Sequence, residues 1–257
     1  MNQRVIRMKH LIVNADDFGI NEVVTSEIER LILAKHVSST TVMANGACLD
    51  EVKCFAADHP EVSFGAHLCL TEFDSITKSK QLKDAGITDQ SGRFVTKAIF
   101  DIKAFDNLTI EAIRKELYAQ IDIISALGFP ISHADSHHHV HTISQLKELF
   151  AEVLNKSGIK KVRLGGDFRT FRTKLHVQKW MRLRQLNRYY KKYFITTSDF
   201  YGFAEFLDAG QPIKDGETIE LMCHPGHPGL KYKEEIQKME VAALPKDIKL
   251  ITYNELY

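Results

Sequence analysis

Short apolar runs rich in strand-forming residues alternate along the chain with longer stretches whose apolar residues recur at the period of a helix. Strands that alternate with helices indicate βαβ units and a parallel sheet. Eight runs in a chain of this length predict an α/β fold with a (β/α) TIM-like barrel, regular or irregular, and an open doubly wound sheet is the alternative. The predicted strands are His10–Asn14, Val37–Met43, Val62–Leu70, Pro130–Asp135, Lys160–Leu164, Tyr193–Thr197, Thr218–Cys223 and Ile248–Tyr253.

Three of the intervening stretches carry helix signals. Asn21 is predicted to cap the first helix, Gly128 to stop the second, and Ser144 to cap the third. The first helix has one apolar face, made of Val24, Ile28, Leu31 and Ile32. The predicted helices are Glu22–Lys35, Ile110–Leu127 and Ser144–Asn155.

Two segments depart from this alternation. Glu72–Asn107 is a long, polar connection, and a long loop in a compact domain is usually functional or mobile.

The second segment, Phe168–Ser198, carries nine Lys and Arg residues and contains no Asp or Glu. We interpret it as a solvated basic helix with a buried stripe, and binding of an anionic partner is the alternative. The predicted stripe consists of Trp180, Leu183 and Tyr190.

The composition narrows the classes of function. Of the 257 residues, 44% are hydrophobic and 26% are charged, which is typical of a globular protein with a sizeable core, and we expect one domain over residues 1–257. The formal net charge of +1 argues against a nucleic-acid or membrane-surface partner. No run approaches the length of a membrane span, we expect no signal peptide, and the four cysteines form no CxxC pair. We therefore expect reduced thiols in a cytoplasmic protein.

Residues that carry chemistry gather at the carboxyl ends of four predicted strands. In a parallel barrel these ends lie on one rim, and that rim carries the active site. Four segments that are distant in the sequence are thus predicted to meet in one pocket. The residues are Asp16, Asp17, His67, Asp135, the histidines from His137 to His141, His224 and His227.

The adjacent carboxylates of Asp16 and Asp17 repel each other and resist burial unless a cation compensates them. Successive strand side chains point to opposite faces, but Phe18-Gly19 after them allows a turn that would bring both to the rim. One carboxylate could then bind a cation while the other handles a proton. A solvated turn, or a helix cap at Asp17, is the alternative.

Five of the twelve histidines lie between His133 and His141. Neutral imidazole is a common metal ligand, and such a cluster beside Asp135 favours a metal or catalytic site. In an extended segment His137 and His139 share a face with Asp135, whereas in a helix His137 and His141 share a face, and the sequence leaves this choice open. His67 alone is equally typical of a buried structural histidine.

Four motifs in order resemble those of the YdjC-like family of carbohydrate deacetylases, which includes the chitooligosaccharide (diacetylchitobiose) deacetylases. They are Asn14-Ala15-Asp16-Asp17-Phe18-Gly19, Gly65-Ala66-His67-Leu68-Cys69-Leu70-Thr71, Asp135-Ser136-His137-His138-His139-Val140-His141 and Cys223-His224-Pro225-Gly226.

The resemblance implies a barrel of the polysaccharide deacetylase type, a homodimer and one divalent metal ion, usually magnesium. The implied metal ligands are Asp17, His67 and His137. Imidazole ligands suit Zn²⁺ or another transition metal at least as well as Mg²⁺. Asp16 matches the catalytic base, and His224 is the corresponding acid. We also expect substrate contacts from three residues, Asp135, His139 and Arg163.

The expected activity is metal-dependent removal of the N-acetyl group from an acetylated amino sugar or a short chitooligosaccharide, with release of acetate. Two alternatives use the same residues. One is a metal-dependent phosphoesterase, which would hold two metal ions. The other is a metal- or sugar-binding protein without turnover.

Overall fold

Seven parallel strands form the central sheet of the part of the chain that the structure describes. The computed structural model describes residues 8–166, 174–209, 213–229, 233, 236–238 and 247–257. The strand order is β4-β3-β2-β1-β6-β5, and β7 pairs with the start of β1. The strands are β1 (Lys9–Phe18), β2 (Ser39–Val42), β3 (Ser63–Leu68), β4 (Ala134–Ser136), β5 (Asp199–Gly202), β6 (Thr218–Cys223) and β7 (Ile248–Leu250).

Two single parallel bridges continue the sheet beyond β4. Ala134 pairs with Val162, and Lys161 pairs with Ile195. The chain that leaves Ile195 enters β5, which lies at the opposite edge of the sheet beside β6. The pairing therefore leads from one edge back to the other, and the sheet curls around an interior. This confirms the predicted α/β, TIM-like class over an open doubly wound sheet.

The helices lie between the strands, as the sequence predicts. Asn21 caps α1, since its side-chain oxygen accepts a hydrogen bond of 3.0 Å from the Val24 N–H. The predicted apolar face of α1 is buried, and α4 ends just before Gly128, which has a φ of 95°. The helices are α1 (Glu22–Leu33), α2 (Leu49–Asp58), α3 (Lys80–Asp84), α4 (Asn107–Ala126), α5 (Lys147–Lys156), α6 (Lys174–Tyr193) and α7 (Phe203–Ala209), with 3-10 helices at Ala98–Asp101, His137–Thr142 and Tyr253–Glu255.

Two of the eight predicted strands are wrong. Lys160–Leu164 and Tyr193–Thr197 form only the single bridges described above. In the second case α6 continues through Tyr193, because Tyr190 is fully buried and its hydroxyl donates a hydrogen bond of 2.7 Å to the His141 carbonyl. This contact holds the end of the helix against the core, and the next strand, β5, begins at Asp199.

The predicted cap at Ser144 is also wrong. The helix α5 begins at Lys147, and its N-cap is Leu146, whose side chain makes no capping hydrogen bond. A turn closed by the Leu146 N–H and the Ile143 carbonyl occupies the predicted first residues. That turn follows directly from the 3-10 helix of the histidine cluster.

The predicted basic segment contains α6, and residues 167–173 lie outside the described residues. Tyr190 of the predicted stripe is buried, whereas Trp180 and Leu183 are only partly buried. Leu186 completes the buried side of the helix. Within the described ranges, every helix is too short or too polar to cross a membrane.

The long connection between β3 and α4 is ordered by Glu116, a buried residue of α4. Its carboxylate accepts hydrogen bonds of 2.9 Å from the backbone N–H groups of Ile76 and Thr77. In the same connection, single antiparallel bridges join Asp74 to Arg93 and Thr88 to Phe94. The backbone at the start of this connection is therefore fixed close to the carboxyl end of β3.

Candidate metal centre and active site

A β-bulge at the end of β1 brings two successive carboxylates into the interior. Ala15 pairs with Thr40 and Phe18 pairs with Val42, so β1 carries one extra residue across this stretch. Asp17 adopts a left-handed backbone with a φ of 71°, which is uncommon for a residue other than glycine and reorients its side chain. The bulge therefore removes the strand alternation that would point Asp16 and Asp17 to opposite faces.

Three side chains from different strand ends converge on one point. Asp17 Oδ1 lies 2.9 Å from His137 Nδ1 and 3.0 Å from His67 Nε2. One donor atom from each of the three residues can be chosen so that all lie within 4.8 Å of one another, and all three residues are buried. The structure thus brings together the three ligands that the sequence predicts.

The donor set fits a divalent cation. His67 Nδ1 lies 2.6 Å from Asp135 Oδ1, so in neutral His67 the proton faces Asp135 and the Nε2 lone pair faces Asp17. Two acceptors at 3.0 Å require a positive charge between them. A proton on His67 would also supply this positive charge. Burial opposes protonation of His67, but the carboxylates of Asp135 and Asp17 raise its pKa well above the usual range. Burial likewise opposes ionisation of Asp17, yet the neighbouring imidazoles hold its pKa well below the usual range.

The histidine cluster is neither extended nor a regular helix. His138 and His139 have left-handed backbones, with φ values of 52° and 56°, inside the 3-10 helix that follows β4. His137 consequently faces Asp17, His138 Nδ1 lies 3.0 Å from the Thr71 hydroxyl oxygen, and His139 lines the cavity. Burial, together with the charge of Arg163, lowers the pKa of His139 to about 3, so its imidazole is neutral.

The other two histidines of the cluster support the backbone instead. His141 Nδ1 lies 2.5 Å from the Ser136 hydroxyl oxygen, and His133 Nε2 lies 3.1 Å from the Asn14 side-chain oxygen. His133 also stacks on Tyr253, with ring centroids 3.6 Å apart. Both histidines are fully buried, and their contacts stabilise the backbone beneath the site.

Asp16 is held by a buried arginine. The guanidinium of Arg163 donates two hydrogen bonds of 2.6 Å, one to each carboxylate oxygen of Asp16. Its Nη1 lies 2.5 Å from Asp135 Oδ2, and its Nε donates to Glu220 over 2.7 Å. Burial opposes ionisation of Asp16, but the Arg163 charge keeps the pKa of this carboxyl below its usual range. Asp16 is therefore ionised and fixed in orientation.

Glu220 and Tyr253 extend this network beneath the site, and neither was predicted from the sequence. The Tyr253 hydroxyl donates to Glu220 Oε2. Burial raises the pKa of Glu220 to about 7, although Arg163 and Tyr253 counteract it. A glutamate inside the apolar run Thr218–Cys223, and an arginine inside Lys160–Leu164, were the available signals, because an unpaired charge rarely occupies a buried strand.

A cavity of about 410 Å³ opens above these residues. His224 Nε2 lies 3.9 Å from Asp16 Oδ2, and His227 Nε2 lies 3.0 Å from Asp17 Oδ2. Asp135 and Arg163, expected to contact substrate, lie beneath the cavity wall instead of lining it. The lining residues are Asp16, Asp17, His67, Glu72, Ser136, His137, His138, His139, Gly202, Ala204, Glu205, Met222, His224 and His227.

Comparison with known proteins agrees with this architecture. Residues 10–254 match the family model of YdjC-like proteins. A carbohydrate deacetylase from Geobacillus stearothermophilus is 28% identical over 97% of this chain and 98% of its own length. A chitooligosaccharide deacetylase from Klebsiella pneumoniae is 31% identical over 84% of this chain and 81% of its own.

A solved structure shares the fold. A crystal structure from Enterococcus faecalis, named as a candidate cellobiose-phosphate cleavage protein, superposes with a TM-score of 0.68 at 22% identity, covering 96% of this chain and 98% of that one. With the match of the family model along nearly the whole chain, the conclusion is that this protein belongs to the YdjC-like family.

Proposed function

We propose that the protein is a metal-dependent hydrolase that removes the N-acetyl group from an acetylated amino sugar or a short chitooligosaccharide and releases acetate. The observation that carries this proposal is the convergence of a three-residue cation site, a fixed carboxylate and a histidine in one cavity. Membership of a family whose relatives are named carbohydrate and chitooligosaccharide deacetylases supplies the substrate class.

Asp17, His67 and His137 would hold the divalent cation. When bound, such an ion polarises the acetyl carbonyl and lowers the pKa of a water molecule. Three protein ligands leave positions for substrate and water, as in catalytic metal sites. Family resemblance favours Mg²⁺, whereas two imidazole nitrogens among three donors favour Zn²⁺ or a similar transition metal.

Asp16 is the proposed base. Its carboxylate is ionised, lines the cavity and belongs to the residue directly before the proposed metal ligand Asp17. The two hydrogen bonds from Arg163 fix the plane of the carboxylate, so its oxygens cannot turn away from the water molecule that they deprotonate. Arg163 and Asp135 therefore act by positioning Asp16 and His67, and we withdraw the direct substrate contact expected for them.

His224 is the proposed acid for the leaving amine. Burial lowers the pKa of His224 below its usual value although Asp16 acts in the opposite direction, so the resting imidazole is neutral. The Asp16 carboxylate lies 3.9 Å away, beyond direct hydrogen-bond distance, so a proton taken from water by Asp16 would pass to His224 Nε2 through one bridging water or after a small side-chain movement. His224 then donates that proton to the amine nitrogen as the C–N bond breaks.

The cavity suits a small sugar. Its volume of about 410 Å³ falls in the range of small-ligand pockets, roughly 300–1,000 Å³. The lining carries several imidazole and carboxylate groups and the Ser136 hydroxyl, and such groups hydrogen-bond sugar hydroxyls. His139 lines this cavity in its neutral form and remains a candidate for substrate contact.

The test is acetate release from N-acetylglucosamine and from N,N′-diacetylchitobiose by chelator-treated protein, with and without added Mg²⁺ or Zn²⁺. We expect acetate only with metal. Asp16→Asn should lose about 10²–10⁴-fold in rate while it binds metal as the wild type does. Absence of acetate under every condition, or hydrolysis of phosphate esters with two metal ions per chain, would refute the proposal. Full activity of Asp16→Asn would exclude Asp16 as the base.

The family resemblance also leads us to propose a homodimer. Sedimentation of the purified chain at the mass of a monomer, over a range of concentrations, would contradict this.

A further inference from the structure

The two imidazole ligands present different nitrogens to the cation site. His67 presents Nε2, and its other nitrogen lies 2.6 Å from Asp135. His137 presents Nδ1, so its Nε2 points away from Asp17. Among the residues that the structure describes, His137 Nε2 is buried and has no hydrogen-bond partner. A buried N–H without an acceptor is unfavourable, and metal-binding histidines usually donate this proton to a carboxylate or carbonyl.

Glu72 supplies a carboxylate near this nitrogen. Its Oε2 lies 3.5 Å from His137 Nε2, just beyond the length of a good hydrogen bond. The backbone at Glu72 is fixed, because its carbonyl accepts from the Cys69 thiol over 3.3 Å and from the Asn45 amide over 3.4 Å. Its side chain is 34% exposed and lines the cavity, so it has room to rotate through the small distance required.

We propose that Glu72 is a positioning residue of the metal site: its carboxylate accepts the Nε2–H of His137 and thereby fixes the tautomer and the orientation in which Nδ1 binds the cation. Asp135 already holds His67 in this way. The inference rests on the proposed function for the identity of the metal ligands, and it adds a residue that neither the sequence motifs nor the predicted ligand set contains.

A competing role for Glu72 is direct ligation of a second cation. Donor atoms of Glu72, His137 and His138 also lie within 4.8 Å of one another. Glu72 Oε1 is 4.0 Å from His138 Nε2, whereas Oε2 is 3.5 Å from His137 Nε2. His138 is meanwhile engaged through Nδ1 with the Thr71 hydroxyl. The shorter contact to a buried nitrogen favours the positioning role, and the number of ions per chain decides between the two.

The experiment is calorimetric titration of chelator-treated protein with Zn²⁺. We expect Glu72→Ala to raise the Kd by about 10–100-fold at an unchanged ratio of one ion per chain. Glu72→Gln should recover most of the affinity, because its amide oxygen can accept the same proton. The visible spectrum of the Co²⁺ form should change in Glu72→Ala and return toward that of the wild type in Glu72→Gln.

The matched control is Asp74→Ala. Asp74 belongs to the same loop, but its carboxylate is exposed and faces Lys78 and Arg93 at 3.7 and 4.0 Å, so its removal should leave the Kd unchanged. An unchanged Kd in Glu72→Ala, or two ions in the wild type and one in Glu72→Ala, would overturn the positioning role. Failure of wild-type protein to bind metal would instead refute the proposed function, so the two failures are distinguishable.

Discussion

The two histidines of the proposed metal site lie in different kinds of structure. His67 belongs to β3, which pairs with β2 on one side and β4 on the other, and it is 1% exposed. His137 begins a 3-10 helix whose next two residues have left-handed backbones, and it is 8% exposed beside the cavity. Folding of the sheet therefore places His67, whereas the turn and its neighbours place His137.

The carboxylates behind these histidines differ in the same way. Asp135 is buried in β4, and its contact with His67 measures 2.6 Å. Glu72 lies at the start of a long loop, and its contact with His137 measures 3.5 Å. We call the half held by the sheet the fixed half, and the half formed by a turn and a loop beside the cavity the adjustable half. This division predicts different consequences for mutations in the two halves.

The largest effect is expected for Asp135→Ala in the fixed half. The mutation leaves His67 Nδ1 without its carboxylate partner and removes one of the three carboxylates that contact Arg163. Because breaking a buried ion pair costs about 3–5 kcal/mol, the free energy of unfolding should fall by that amount. Glu72→Ala in the adjustable half should change this free energy by less than about 0.5 kcal/mol. Urea denaturation measures both. Equal destabilisation by the two mutations would remove the distinction between the halves.

A smaller effect concerns Glu220, which supports the fixed half through Arg163. Its pKa in the folded protein, about 7, lies above the ordinary glutamate value of 4.5. The folded protein therefore binds the Glu220 proton more tightly than the unfolded chain does. The stabilisation that this proton gives to the folded state is complete below about pH 4.5 and is lost as pH rises through about 7. The pKa difference corresponds to about 3 kcal/mol.

The measurement for Glu220 is the unfolding free energy of the wild type and of Glu220→Gln across this pH range. Glutamine retains an acceptor for the Arg163 N–H but does not titrate, so the stability of the wild type should fall relative to that of the mutant as pH rises. Parallel stability curves would show that Glu220 has an ordinary pKa.

The sequence predicted the convergence of the site because it follows from topology. Carboxyl ends of parallel strands share one rim, so the segments of Asp17, His67 and His137 could be placed together from their positions at or near the ends of predicted strands. The choice of these three residues as ligands came from the family resemblance. Backbone detail was not predictable in this way. The bulge at Asp17 and the left-handed backbones of His138 and His139 depend on tertiary contacts, and the periodicity of apolar residues in the sequence does not predict them.

The supporting carboxylates were the least visible part of the site. Glu72 resembles any polar residue at the start of a loop, and only its distance from His137 distinguishes it. Glu220 differed, since it was the one acidic residue of an apolar strand. A charge in such a run requires a buried partner, and Arg163 in another predicted strand was the matching charge. Pairing isolated charges between predicted core strands would have identified this network.

The smallest expected effect tests the cavity side through His224, whose side chain is 23% exposed. The proposed relay requires neutral His224 in the free enzyme, and burial lowers its pKa below 6.5. As pH falls through this lowered pKa, His224 becomes protonated and cannot accept the proton that Asp16 takes from water. The acid limb of kcat/KM should therefore lie below pH 6.5, and the residual rate of His224→Gln should lack that limb. A limb at or above 6.5 would mean that His224 is open to solvent in the working enzyme, and the proton would then have to reach the amine by another route.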